Sequence, residues 1–140
     1  MASFVKYYCF VENLAEKVHN LGSDTLKIML TNTAPNVSTH TVRADVSELS
    51  GGNGYTSGGT AVTVTGSSQS GGTYTLTQSA DVVFTASGSV GPFQYAILYN
   101  DTPTSPADPL IGYWDYGSAV TLASGETFTV DMGATILSIA

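Results

Sequence analysis

Apolar residues along this chain recur mostly with a period of two. In residues 25–31, Leu26, Ile28 and Leu30 fall in one phase and Thr25, Lys27, Met29 and Thr31 in the other. That alternation describes a half-buried strand, because successive side chains leave opposite faces of a sheet. Residues 4–10 read as a second strand-like run: Phe4, Tyr8 and Phe10 oppose Val5, Tyr7 and Cys9. Beyond residue 60 the same signal returns in short bursts at 60–65, 73–77, 81–86, 94–99, 110–116, 119–122, 127–131 and 135–139. Glycine, proline and small polar residues separate these bursts, and residues 66–72 read as turn. One segment departs from the period. Val11, Leu14, Val18 and Leu21 sit at helical spacing and Gly22 follows where a left-handed stop belongs, so residues 11–21 are expected to form a short helix.

Eight or nine short strands with at most one helix predict an all-β domain, an antiparallel β-sandwich or a small barrel. No fixed-period repeat is visible, and no linker divides the 140 residues, which are read as one domain. Residues 33–59 are mostly irregular, with a possible single turn at 45–48 where Asp45 and Glu48 have the spacing of a capping box. Two later strands are apolar in both phases. Tyr95, Ile97 and Tyr99 oppose Ala96 and Leu98; Leu110, Trp114 and Tyr116 oppose Ile111 and Tyr113. A strand with one wet face alternates apolar with polar, so the outer face of these strands must be covered. The cover is either the helix at 11–21 or another subunit.

Composition narrows the function. Only 11% of residues are charged and the net charge is -7, while Ser, Thr and Gly make up 50 of the 140 positions. Four cations in an acidic chain give no footprint for a phosphate backbone, so nucleic-acid binding is not expected. No apolar run approaches the roughly 20 residues that span a bilayer, so no membrane partner is expected either. Cys9 is alone and cannot close an internal disulfide. The apolar N-terminal run is cut off by Glu12 with no small-residue cleavage site after it, so it does not read as a secretory signal. Hydroxyl-rich, charge-poor β chains usually face the outside. Either another export route or synthesis in a host cytoplasm as part of a particle satisfies both observations.

Catalytic chemistry finds little support. His19 and His40 are isolated, with no G-x-S-x-G elbow beside them. The acids stand singly at turns and strand ends and show no calcium-loop spacing, and no metal or other cofactor is expected. The glycine run 51–59 lacks the lysine of a phosphate loop, although Tyr55 at its centre could anchor a partner or fold back on its own domain. Asn36 and Asn100 open sequons that read as chance matches. Asp115, among Tyr113, Trp114 and Tyr116, is the one acid set where a sugar could stack, and no partner acid can be named for it.

Four runs together resemble the capsid decoration, or cement, proteins of tailed bacteriophages. They are residues 10–35, residues 52–56 around Tyr55, residues 91–102 (Gly-Pro-Phe-Gln-Tyr-Ala-Ile-Leu-Tyr-Asn-Asp-Thr), and residues 109–117 (Pro-Leu-Ile-Gly-Tyr-Trp-Asp-Tyr-Gly) with 124–130. The resemblance covers nearly the whole chain. It implies a jelly-roll-like sandwich, often a homodimer, that binds the outer capsid surface and stabilises the expanded head by bridging major capsid protein subunits. It implies no cofactor and carries over no catalytic residue.

On this reading Phe4, Tyr7, Tyr55 and Phe93 are the expected subunit contacts. Tyr113, Trp114 and Tyr116 form a possible aromatic patch. The competing reading is a receptor- or glycan-binding module of a tail fibre that uses Tyr55 and the same patch as a stacking platform. A third, a small glycan-acting enzyme, would centre on Asp115.

Overall fold

The computed structural model describes residues 2–140. Its elements in chain order are β1 (Phe4–Lys6), α1 (Tyr8–Ala15), β2 (Leu26–Thr31), β3 (Thr60–Ala61), β4 (Val64–Ser70), β5 (Thr73–Gln78), β6 (Val82–Thr85), β7 (Val90–Asn100), β8 (Leu110–Leu122), β9 (Thr127–Val130) and β10 (Thr135–Ile139). A five-stranded sheet runs β1-β8-β7-β2-β3, a three-stranded sheet β10-β5-β4, and β6 pairs with β9. Every pairing is antiparallel. The result is the sandwich-like all-β fold with one short helix that the periodicity predicts. The jelly-roll connectivity rests on the resemblance alone.

Leu26, Ile28, Leu30, Ala96, Leu98 and Trp114 from the large sheet meet Leu76, Val82, Phe84, Val130 and Leu137 from the smaller ones in one cluster. Each fully buried Leu or Ile there contributes about 2 kcal/mol. A second cluster lies on the opposite face of the same sheet. Met29, Ile97, Tyr99 and Leu110 are capped by Tyr7 and Val46, with Cys9, Val37, Tyr95 and Tyr113 at the margin. So β2 is buried on both sides: Met29 and Thr31 are as enclosed as Ile28. Only Lys27 keeps the half-buried character expected of the polar phase, and its ammonium reaches Asp101 at 3.0 Å.

The doubled apolar phases therefore have an internal cover, but not the expected one. The cover is the long irregular segment through Val37 and Val46, together with Tyr7 and Cys9. Helix α1 gives that cover only Cys9 and sends Phe10 and Leu14 to the inter-sheet cluster. It also begins and ends earlier than its apolar spacing suggests. Lys17 takes a left-handed conformation (φ 66°), and the Val18 N–H turns back to Asn13, so Val18 and Leu21 lie beyond the last turn. Tyr8–Phe10, expected as strand, open the helix because the chain leaves the sheet at Tyr7, whose N–H is the last to reach Ile111.

Two other segments depart from the sequence reading. Strand β4 continues through Ser70, and the turn shrinks to Gly71 and Gly72, both at positive φ as a tight two-residue hairpin demands. The two runs at 110–116 and 119–122 fuse into β8, which carries irregularities against β7. One of these, at the Leu98/Tyr99 step, returns Ile111 to the inter-sheet cluster while Leu110 and Tyr113 go to the second. Strict alternation across 110–116 therefore fails. The single turn expected at 45–48 is instead a 3-10 turn at Arg43–Asp45. Asp45 reaches back to the N–H groups of Thr41 (2.9 Å) and Val42 (3.2 Å), which hold its carboxyl below the usual range.

Candidate functional site

Glu48 does not cap a turn. Its carboxylate accepts from Arg43 (2.7 Å), from the Tyr55 hydroxyl (2.8 Å) and from the Gly58 N–H. The Tyr55 hydroxyl in turn accepts from the Leu30 N–H at 3.0 Å, and Tyr99 donates to the Gly58 carbonyl at 2.6 Å. Arg43 lies over the Tyr99 ring and within 3.7 Å of Asp108, and its hydrogen bond to Glu48 raises its pKa. This network fastens the long segment to the side of β2 that lies beyond its two-residue pairing with β3. There Leu49 N–H meets Leu30, and Thr31 Oγ1 donates to Ser47. The glycine run is pinned as well. Asn53 bonds the backbone of Ser87 and Ser89, and a Cβ on Gly59, at φ 78°, would overlap the Ile28 carbonyl.

That architecture corrects the expected contact residues. Tyr7 and Phe93 are fully enclosed, and Tyr55 is 3% exposed with its ring against Phe84. A core ring offers nothing to a second molecule while the chain stays folded. Phe4 is half-buried, 5.2 Å from Trp114 and lying over Gly112, where no larger residue would fit. The expected aromatic patch is split by strand alternation. Tyr113 lies on the second face beside Tyr7 and Tyr95, whereas Trp114 faces the inter-sheet side and Tyr116 stands out beside Phe128.

Two of the grooves among the described residues are roomy enough to take a partner. The first, about 570 Å³, runs between α1 and β10 and is lined by Phe4, Phe10, Val11, Leu14, Ile136 and Ile139, among others. It is flanked by two strands, β1 and β10, each the end strand of its sheet. Val11 in its wall is 53% exposed. The second groove, about 490 Å³, lies at the mouth of the sandwich between β8 and β9, with Trp114 and Ala96 in its floor and Gln94, Asp115, Tyr116 and Asp131 on its walls.

No family model, curated protein or solved structure matches the chain. Its chemistry is therefore read from its own side chains. Among the described residues no three His, Cys, Asp or Glu side chains gather as a metal site, and no helix is long and apolar enough to cross a membrane. Cys9 is half-buried against the carbonyls of Thr41 and Leu110, and burial raises its thiol pKa, which keeps it a poor nucleophile. His19 is enclosed, with Nδ1 3.0 Å from the Asn100 amide, and that amide also donates to Asp24 at 2.7 Å. Burial lowers the His19 pKa, opposed by Asp24. The two histidines serve local structure: His40 Nδ1 accepts from the Asn36 N–H. Sequence spacing alone could not join His19 to Asn100, which meet across 81 residues, or Glu48 to Tyr55, which meet where the irregular segment folds back on itself beside β2.

Proposed function

We propose that this chain is a structural virion protein that binds the outer surface of a tailed-phage capsid and stabilises the expanded head by bridging major capsid protein subunits, acting as a homodimer. The observation that carries the proposal is the apolar groove between α1 and β10. It brings together two end strands and the exposed Val11 in a chain whose other large apolar residues are mostly enclosed. End strands offer unpaired backbone groups to a neighbouring chain, and apolar side chains beside them add affinity without chemistry. Many weak copies of such a contact on a closed shell act together, and a protein that binds only the assembled shell stabilises it by mass action. The resemblance of nearly the whole sequence to decoration proteins supports the same reading.

The test is co-sedimentation of the purified chain with expanded heads stripped of it, followed by a heat challenge. Saturable binding that protects the heads is expected, and Val11→Asp should abolish it while leaving the chain folded. Undiminished binding by Val11→Asp would move the contact to another surface. No binding by the native chain would end the capsid reading.

A further inference from the structure

The second groove is built differently, and it owes its shape to an irregularity in β8. Tyr95 pairs with Asp115 and Phe93 with Val120, so Gln94 alone stands opposite Tyr116, Gly117, Ser118 and Ala119. Such bulges re-aim side chains and are enriched beside binding sites. Here the bulge is held by Asp115, whose Oδ1 accepts from the Gly117 N–H at 2.8 Å and from the Gln94 amide at 3.0 Å. Gly117 sits at φ 95°, where a side chain would be strained. The effect is to push Tyr116 outward, 57% exposed, with its ring edge-on to Phe128 at 5.3 Å.

The groove thus has an apolar floor of Trp114 and Ala96, an aromatic wall of Tyr116 and Phe128, and a rim of Gln94, Asp115, Thr129 and Asp131. Its volume of about 490 Å³ lies within the range of small-ligand pockets. Among the described residues two carboxylates and no cation line it, with Ala2 the remaining small residue of the wall, and this disfavours anions. Carboxylates and amides suit a ligand with several hydroxyl donors, and an exposed tyrosine face suits a ring with one C–H-rich side.

We propose that this groove binds a neutral pyranose, with the sugar's apolar face on Tyr116 and its hydroxyls on Asp115, Gln94 and Asp131. The proposal concerns a separate surface from the apolar groove and stands whether or not the chain binds capsids. It also differs from a platform of Tyr113, Trp114 and Tyr116, since Tyr113 is on the far side of the sheet.

Trp114 is the chain's one tryptophan and lies in the groove floor, so its fluorescence reports occupancy directly. The experiment titrates the whole chain with methyl glycosides of glucose, galactose, mannose and N-acetylglucosamine, with sialic acid and spermidine as charged probes. A saturable change in Trp114 emission with at least one neutral glycoside is expected at millimolar concentration. Tyr116→Ala should weaken it about tenfold, and circular dichroism should show the variant folded. Val83→Ala, exposed but outside the groove, should bind as the native chain does. No response to any neutral probe, a response only to spermidine or sialic acid, or unchanged affinity in folded Tyr116→Ala would each overturn the proposal.

Discussion

The two faces of the five-stranded sheet are both buried, yet by different means. One face meets other strands, and aliphatic side chains interdigitate across it. The opposite face is roofed by irregular chain, is rich in tyrosine, and depends on a few polar ties at the edge of β2. An inter-sheet core offsets the entropy of ordering its strands with large apolar area and regular ladder hydrogen bonds. A loop roof must first offset the entropy of ordering its backbone, roughly 1–2 kcal/mol per residue. What lets this loop stay down is that one carboxylate serves a guanidinium, a phenol and a backbone N–H at once.

Removing that carboxylate should separate the two faces most sharply. Glu48→Ala leaves Arg43, the Tyr55 hydroxyl and the Gly58 N–H without their shared acceptor, a loss of about 3–4 kcal/mol. Hydrogen exchange should then show amides of residues 41–59 opening first, with β5 and β10 still protected. Uniform loss of protection across both regions would mean that the roof and the inter-sheet core unfold as one unit.

A smaller effect is expected from acid, and it should come from the inter-sheet side. His19 packs on Phe10 at 5.3 Å, is enclosed, and has its pKa lowered by burial. Its Nδ1 faces the Asn100 amide, which places the proton of the neutral ring on Nε2. Because the folded pKa lies below the ordinary histidine value of 6.5, the unfolded chain takes up the proton first. Stability held by neutral His19 is therefore present above that value and lost as pH falls below it. Urea midpoints measured across that window should fall in the native chain and flatten in His19→Asn. An equal slope in the variant would assign the acid sensitivity elsewhere.

The same contrast explains what could be read from the sequence. Strands β5, β6, β9 and β10 pack against strands, so their period-two signal survives; their limits, and those of β2, lie within a residue or so of the pattern, although β2 is roofed on its second face. The roof has no period, because its contacts are made by single residues such as Val37 and Val46 inserted from irregular backbone. The doubled apolar phases of β7 correctly required a cover, but nothing local could say that residues 32–59 supply it. Helix α1 misled for a related reason. The spacing of Val18 and Leu21 is helical, yet Leu21 reaches the core from a turn after the chain has reversed at Lys17. The aromatic residues were legible as important and illegible in role, since composition does not distinguish a ring that closes a core from one that meets a partner. Of the seven singled out, only Tyr116 is strongly exposed.

The least change in stability, and the clearest in sign, should come from two phenols. The Tyr55 hydroxyl meets Leu30 and Glu48, whereas the Tyr7 hydroxyl is buried with no protein hydrogen-bond partner among the described residues, and burial raises both pKa values. Deleting an unpaired buried hydroxyl removes a desolvation cost; deleting a paired one strands its partners. Tyr7→Phe should therefore stabilise the chain by up to about 1 kcal/mol, raising Tm by about 3 °C. Tyr55→Phe should lower stability by about 1–2 kcal/mol. Thermal melts of the two variants decide the matter by direction rather than size. If Tyr7→Phe is instead destabilised as much as Tyr55→Phe, the Tyr7 hydroxyl is bonded to a buried water, and the roofed face is held by polar ties on both sides of the sheet edge.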